Sequence, residues 1–110
     1  MARPTLFLVY RKPGPAWVAG LPTREQPLWN EHAAFMDGIF EEGRIVLAGP
    51  YGKDGRALVV MDVRDEAHAS SLFDEDPWVK AGILLTEEVV PWTIFLDSRR
   101  APAPSVDLDL

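Results

Sequence analysis

The sequence predicts an α+β domain built on a split βαβ sheet, four antiparallel strands with two helices on one face. Three observations predict it. Helical stretches, with apolar residues at steps of three and four, alternate with short apolar runs in the order β-α-β-β-α-β. The breaks carry turn or capping residues, among them Gly43, the run Gly49–Gly55 and Asp65. A chain of 110 residues, 47% of them hydrophobic, suits one compact domain and leaves no room for two.

The elements follow in order. Thr5–Tyr10 (TLFLVY) reads as a strand, and Arg11–Glu25, rich in Pro and Gly, as a long loop. Gln26–Glu42 reads as a helix with Leu28, Phe35, Met36, Ile39 and Phe40 on one face, ended by Gly43. Arg44–Ala48 is the second strand, Gly49–Gly55 a turn, and Arg56–Val63 the third strand. Asp65 caps a helix over Glu66–Asp74, with Ala69, Leu72 and Phe73 inward. Asp76-Pro77 restarts a short helix to about Ala81, with Pro where its missing N–H is harmless. Val89–Leu96 is the last strand, and Pro91 places it at an edge or a bulge. Residues 1–97 form the domain, and the composition of 98–110 predicts a flexible tail.

The strands are apolar on both sides. Leu6 and Leu8 oppose Phe7 and Val9, and Leu58 and Val60 oppose Val59, Met61 and Val63. Such strands are buried on both faces, yet two helices cover only one. A second copy of the sheet is the simplest cover, so a homodimer is expected.

Composition excludes several classes. The net charge is −6 with no basic run longer than Arg99-Arg100, so nucleic acid is not an expected partner. There is no cysteine, hence no disulfide, thiolate or Cys-based metal chemistry. Leu6–Val9 is too short for a signal peptide or membrane span, so no membrane partner and a cytoplasmic location are expected. The two histidines, His32 and His68, fall at opposite ends of the predicted topology, so no metal site is expected.

His32 breaks the apolar stripe of the first helix. An imidazole aimed at a core needs a hydrogen-bond partner, and it is also the side chain best suited to proton transfer near neutrality. A core histidine bonded to a backbone carbonyl is the ordinary reading, and a catalytic group is the other. Its helical neighbours Leu28, Trp29, Phe35 and Met36 include no acid. Following the chain up and down the predicted sheet brings the long loop, His32, Gly49-Pro50-Tyr51 and Asp76-Pro77-Trp78 to one end.

These segments also resemble a family. Trp29–Asp37 (WNEHAAFMD), Ala48-Gly49-Pro50, Asp76-Pro77-Trp78 and Pro91-Trp92 are similar, in this order, to the YciI-like (YCII-related) proteins. Gly14–Trp17 and Arg24-Glu25-Gln26 resemble a subgroup of them. The resemblance covers about Thr5 to Asp97. It implies a ferredoxin-like fold assembled as a dimeric α/β barrel, and a site built on a His–Asp pair that maps to His32 and Asp76. One member of that family is known as a dehydrochlorinase acting on a chlorinated hydroxyquinol, and muconolactone isomerases share the dimeric barrel.

Asp before Pro at a helix start is by itself an ordinary N-cap, stabilising by about 1 kcal/mol. One carboxylate oxygen can cap while the other faces His32. Trp17, Trp29 and Trp78 could wall a flat pocket for a cyclic ligand, or simply pack. Arg24 could grip a substrate carboxylate, with Arg11 a weaker candidate, and Pro50 would shape the rim. The expectation is a cofactor-independent enzyme acting on a small, aromatic or cyclic organic acid by His32/Asp76 acid–base elimination or isomerisation. The alternative is a non-catalytic dimeric module that binds a small molecule.

Overall fold

In the computed structural model, which describes residues 5–99, four strands form one antiparallel sheet in the order β2-β3-β1-β4. They are β1 (Thr5–Pro13), β2 (Ile45–Pro50), β3 (Ala57–Met61) and β4 (Leu84–Thr93). Helices α1 (Trp29–Glu41) and α2 (Glu66–Phe73) cover one face, and the short α3 (Pro77–Lys80) leads into β4. This is the predicted ferredoxin-like order. Alternation along the strands sends Phe7, Val9, Val59 and Met61 to the helical face, where they pack with Ile39, Ala69 and Phe73. Asp65 caps α2 as expected, accepting from the His68 N–H at 2.7 Å.

Several boundaries differ from the sequence reading, those of β1, β4 and α1 the most, and Gly49 and Pro50, read as turn, continue β2 by pairing with Leu58 and Ala57. β1 runs on to Pro13, because Arg11, Lys12 and Pro13 pair with Thr86, Leu85 and Leu84. β4 correspondingly begins at Leu84 and not at Val89, and ends at Thr93, so Ile94 and Leu96 lie beyond it. Glu87 and Glu88 hid that start: Glu87 points to solvent and ion-pairs with Arg56, and Glu88 sits opposite Tyr10. Pro91 does lie on an edge strand.

Helix α1 begins at Trp29 and not at Gln26, because Leu28 adopts a left-handed conformation (φ 63°). Gln26 instead staples the preceding loop. Its side-chain N–H groups donate to the Val18 and Leu21 carbonyls at 2.8 and 3.0 Å, and its oxygen accepts from the Val18 N–H at 2.8 Å. Leu28, just before the helix, and Phe40, in its last turn, both read as core, are exposed.

On the other face of the sheet, Leu6 and Val60 are buried with Ile94, and Leu8 and Val46 pack against them. Around this cluster Leu47, Trp92 and Leu96 are exposed, at 57%, 46% and 63%. A shallow groove runs there, lined by Leu6, Leu47, Val60, Trp92 and Leu96. Of the predicted tail, Ser98 and Arg99 form a turn with Arg99 paired to Asp97; its remainder lies outside the described residues. No helix among the described residues is long and apolar enough to cross a membrane.

Candidate active site

The loop between α2 and α3 delivers Asp76 to the beginning of α3. There it is the N-cap: Oδ1 accepts from the Trp78 N–H at 2.9 Å, and Pro77 takes the first helical position. The carboxylate is fully buried and serves two further elements. From the first turn of α1, His32 Nδ1 lies 2.9 Å from Oδ1 and 3.0 Å from Oδ2. From β1, Arg11 Nη2 donates to Oδ2 at 3.0 Å. One aspartate therefore ties a helix start, a histidine and a sheet strand together.

The His32 ring stacks on Trp78, with centroids 3.9 Å apart and planes 4° apart. Trp29 stands tilted beside both, 5.7 Å from His32 and 5.6 Å from Trp78. Trp17 meets Trp78 edge to face at 5.8 Å. Trp78 is anchored by its indole N–H, which donates to the Pro27 carbonyl at 2.7 Å. The long loop is in turn pinned to the start of β4, where Gly14 and Ala16 donate to the Ile83 and Gly82 carbonyls. His32 is thus held on one ring face by Trp78 and at its Nδ1 edge by Asp76. Its Nε2 makes no hydrogen bond among the described residues, and its side chain keeps 9% exposure.

Burial pushes the Asp76 carboxyl up. The His32 hydrogen bond, the Arg11 charge and the Trp78 N–H pull it down, and together they prevail: Asp76 lies below its ordinary value. Arg11 is lowered by burial despite the raising effect of Asp76, and a guanidinium remains charged in either case. With Asp76 an anion, Nδ1 of the neutral imidazole carries the proton and Nε2 presents a lone pair. This arrangement can accept a proton at Nε2 and stabilise the resulting imidazolium.

The predicted site residues thus fall into four groups. His32, Asp76, Trp17, Trp29 and Trp78 form one cluster, although Trp78, at 1% exposure, backs the histidine instead of offering a free wall. Arg24 is exposed on the one-turn 3-10 helix Thr23–Glu25, with its guanidinium 5.8 Å from the Trp29 ring, at the rim. Pro50 ends β2 opposite Ala57 and takes no part in the cluster's hydrogen bonds or ring contacts. Arg11, the weaker candidate for gripping a substrate carboxylate, is buried at 1% exposure and turned inward. Its signal lay in the alternation: Phe7, Val9 and Arg11 share the helical face. Among the described residues, no three His, Asp or Glu side chains are grouped to hold a metal ion.

The model of the YCII-related domain matches residues 5–93. Among solved structures, the chain is similar to 5-chloro-2-hydroxyhydroquinone dehydrochlorinase from Burkholderia phenoliruptrix AC1100, in complex with 2,5-dihydroxybenzoquinone. The TM-score is 0.61 at 26% identity, covering 80% of this chain and 93% of that one. No curated protein matches the chain.

Proposed function

The chain belongs to the YCII-related domain family, and from that premise we propose that it is a cofactor-independent enzyme using His32 as acid and base on a small aromatic or cyclic organic acid. One observation carries the reading: Asp76 holds Nδ1 of His32 while Nε2 is left without a partner among the described residues. A similar structure belongs to a dehydrochlorinase of a hydroquinone, which favours a flat, electron-rich substrate.

In the proposed reaction, Nε2 removes a proton from a carbon or hydroxyl of the substrate. The electron pair left behind either expels a leaving group on the neighbouring carbon, an elimination, or shifts a double bond. In an isomerisation the imidazolium then returns its proton at another position. In an elimination it gives the proton up to the leaving group or to water. Asp76 stabilises the transient imidazolium, and Trp78 offers it an aromatic face. Arg24 holds an anionic substituent over Trp29, with Trp17 completing the aromatic surround.

The chain is further proposed to work as a homodimer, its sheets packed through the face that exposes Leu47 and Trp92.

The test is turnover of a panel of chlorinated hydroxyquinols and cyclic keto acids, followed by ultraviolet absorbance and chloride release. Purified chain is expected to turn over at least one, and His32→Gln to lose at least about 100-fold while remaining folded. A His32→Gln chain with undiminished turnover would overturn the assignment. Retained ligand affinity with no turnover in either protein would instead establish a binding module.

A further inference from the structure

We propose that Arg11 is a positioning residue for His32, acting through Asp76: it fixes the carboxylate on Nδ1 and offsets its charge, leaving Nε2 to act as the base. This deepens the acid–base reading and rests on it in taking the His32 ring as the reacting group.

The geometry leaves Arg11 no direct contact with a substrate. The residue is 1% exposed, and its fork reaches Asp76 Oδ2 at 3.0 Å on one side and Met36 Sδ at 3.8 Å on the other. Its guanidinium carbon lies 4.1 Å from the centroid of the Phe73 ring. Nε has no partner at all among the described residues. The elements packed against it offer little other charge. Its β3 and β4 partners are Ala57 and Thr86, α2 presents Phe73, and α1 presents Met36 and, through Asp76, His32. Asp76 is thus its one ionic partner among the described residues.

A purely structural role explains this poorly. Phe7 and Val9 precede Arg11 on the same face, among Met36 and Phe73, and an apolar side chain there would cost less than a buried ion pair. The pair sits instead on the one carboxylate that holds His32. The two sides of that carboxylate are pinned, Oδ1 by the Trp78 N–H and Oδ2 by Arg11, so its plane stays aimed at Nδ1. An unpaired carboxylate would strongly favour the imidazolium, whereas one already neutralised by a guanidinium favours it less.

The test needs no substrate. The full chain, labelled with 15N-histidine, is titrated by NMR, with His68 on α2 as the internal control. Arg11→Met, close in volume and suited to its apolar neighbours, is expected to raise the His32 midpoint by about one pH unit and leave His68 in place. Arg11→Lys keeps the charge and is expected to keep the midpoint. Should Arg11→Met fail to fold, Arg11→Gln supplies the uncharged comparison. An unmoved His32 midpoint in a folded uncharged variant, or a midpoint raised in Arg11→Lys, overturns the proposal. The two ideas fail separately: activity that survives His32→Gln removes His32 as the acid–base group, and an unmoved midpoint in an enzyme that needs His32 removes only the role of Arg11.

Discussion

The imidazole of His32 and the indole of Trp78 lie parallel, 3.9 Å apart. Trp78 follows Asp76 by two residues, so the aspartate that holds the edge of the histidine also starts the helix that covers its face. The stack offers a direct optical report. An imidazolium against an excited indole accepts an electron and quenches its emission. Tryptophan fluorescence is expected to fall reversibly as His32 is protonated on acidification. The transition should vanish in His32→Gln and shrink strongly in Trp78→Phe, checked by emission spectra across a pH series.

Asp76→Asn keeps an oxygen for the Trp78 N–H but removes the charge opposite Arg11. Breaking a buried pair by deleting one partner is costly, so a loss of about 3 kcal/mol is expected in urea unfolding. The pH dependence carries the complementary sign. Asp76 titrates lower in the folded chain than its ordinary value of 3.8. The stability it contributes is therefore complete above that value, and is lost as pH falls through the lower, folded-state value. The gap between the wild-type chain and Asp76→Asn should hold from neutrality down to about pH 5 and narrow below about pH 4.

Two glycines should respond to alanine with opposite signs. A Cβ at Gly14 would fall inside contact distance of the Gly82 carbonyl oxygen, a backbone atom that cannot step aside. Gly14→Ala is expected to cost about 1–3 kcal/mol and to loosen the loop that carries Trp17. Gly38 lies inside α1 with open space around its would-be Cβ. Gly38→Ala is expected to stabilise by about 0.5–1 kcal/mol. Thermal melts of the two variants against the parent chain decide both.

The exposed apolar residues of the open sheet face bear on assembly. Leu47 and Trp92 stand on the two edge strands, on either side of the buried Leu6–Val60–Ile94 cluster. Introducing charge with Leu47→Glu and Trp92→Glu is expected to convert a dimer to a monomer at micromolar concentration while circular dichroism is retained. Light scattering checks it; a wild-type chain that is already monomeric at that concentration removes the dimer proposal.

Local signals carried much of this molecule. The order of strands and helices was legible because 3.6- and 2-residue periodicities are short-range properties of the chain. Asp65 and Asp76 were legible as caps because a capping oxygen serves N–H groups only two or three residues away. His32 stood out because an imidazole in an apolar stripe is a local contradiction. What local patterns could not fix were boundaries set by partners. The start of β4 depends on pairing Leu84, Leu85 and Thr86 with the end of β1, across more than seventy residues of chain. The start of α1 depends on Leu28, whose left-handed backbone no propensity would assign.

By itself, then, the sequence determined an α+β chain with an imidazole set among apolar residues and an aspartate at a helix start. Only the tertiary structure decided that Asp76 would also receive Arg11, that Arg11 would be buried, and that Trp78 would lie flat on His32. The physical reason is that a buried charge is tolerated only where its partner arrives, and that partner comes from a segment 65 residues away.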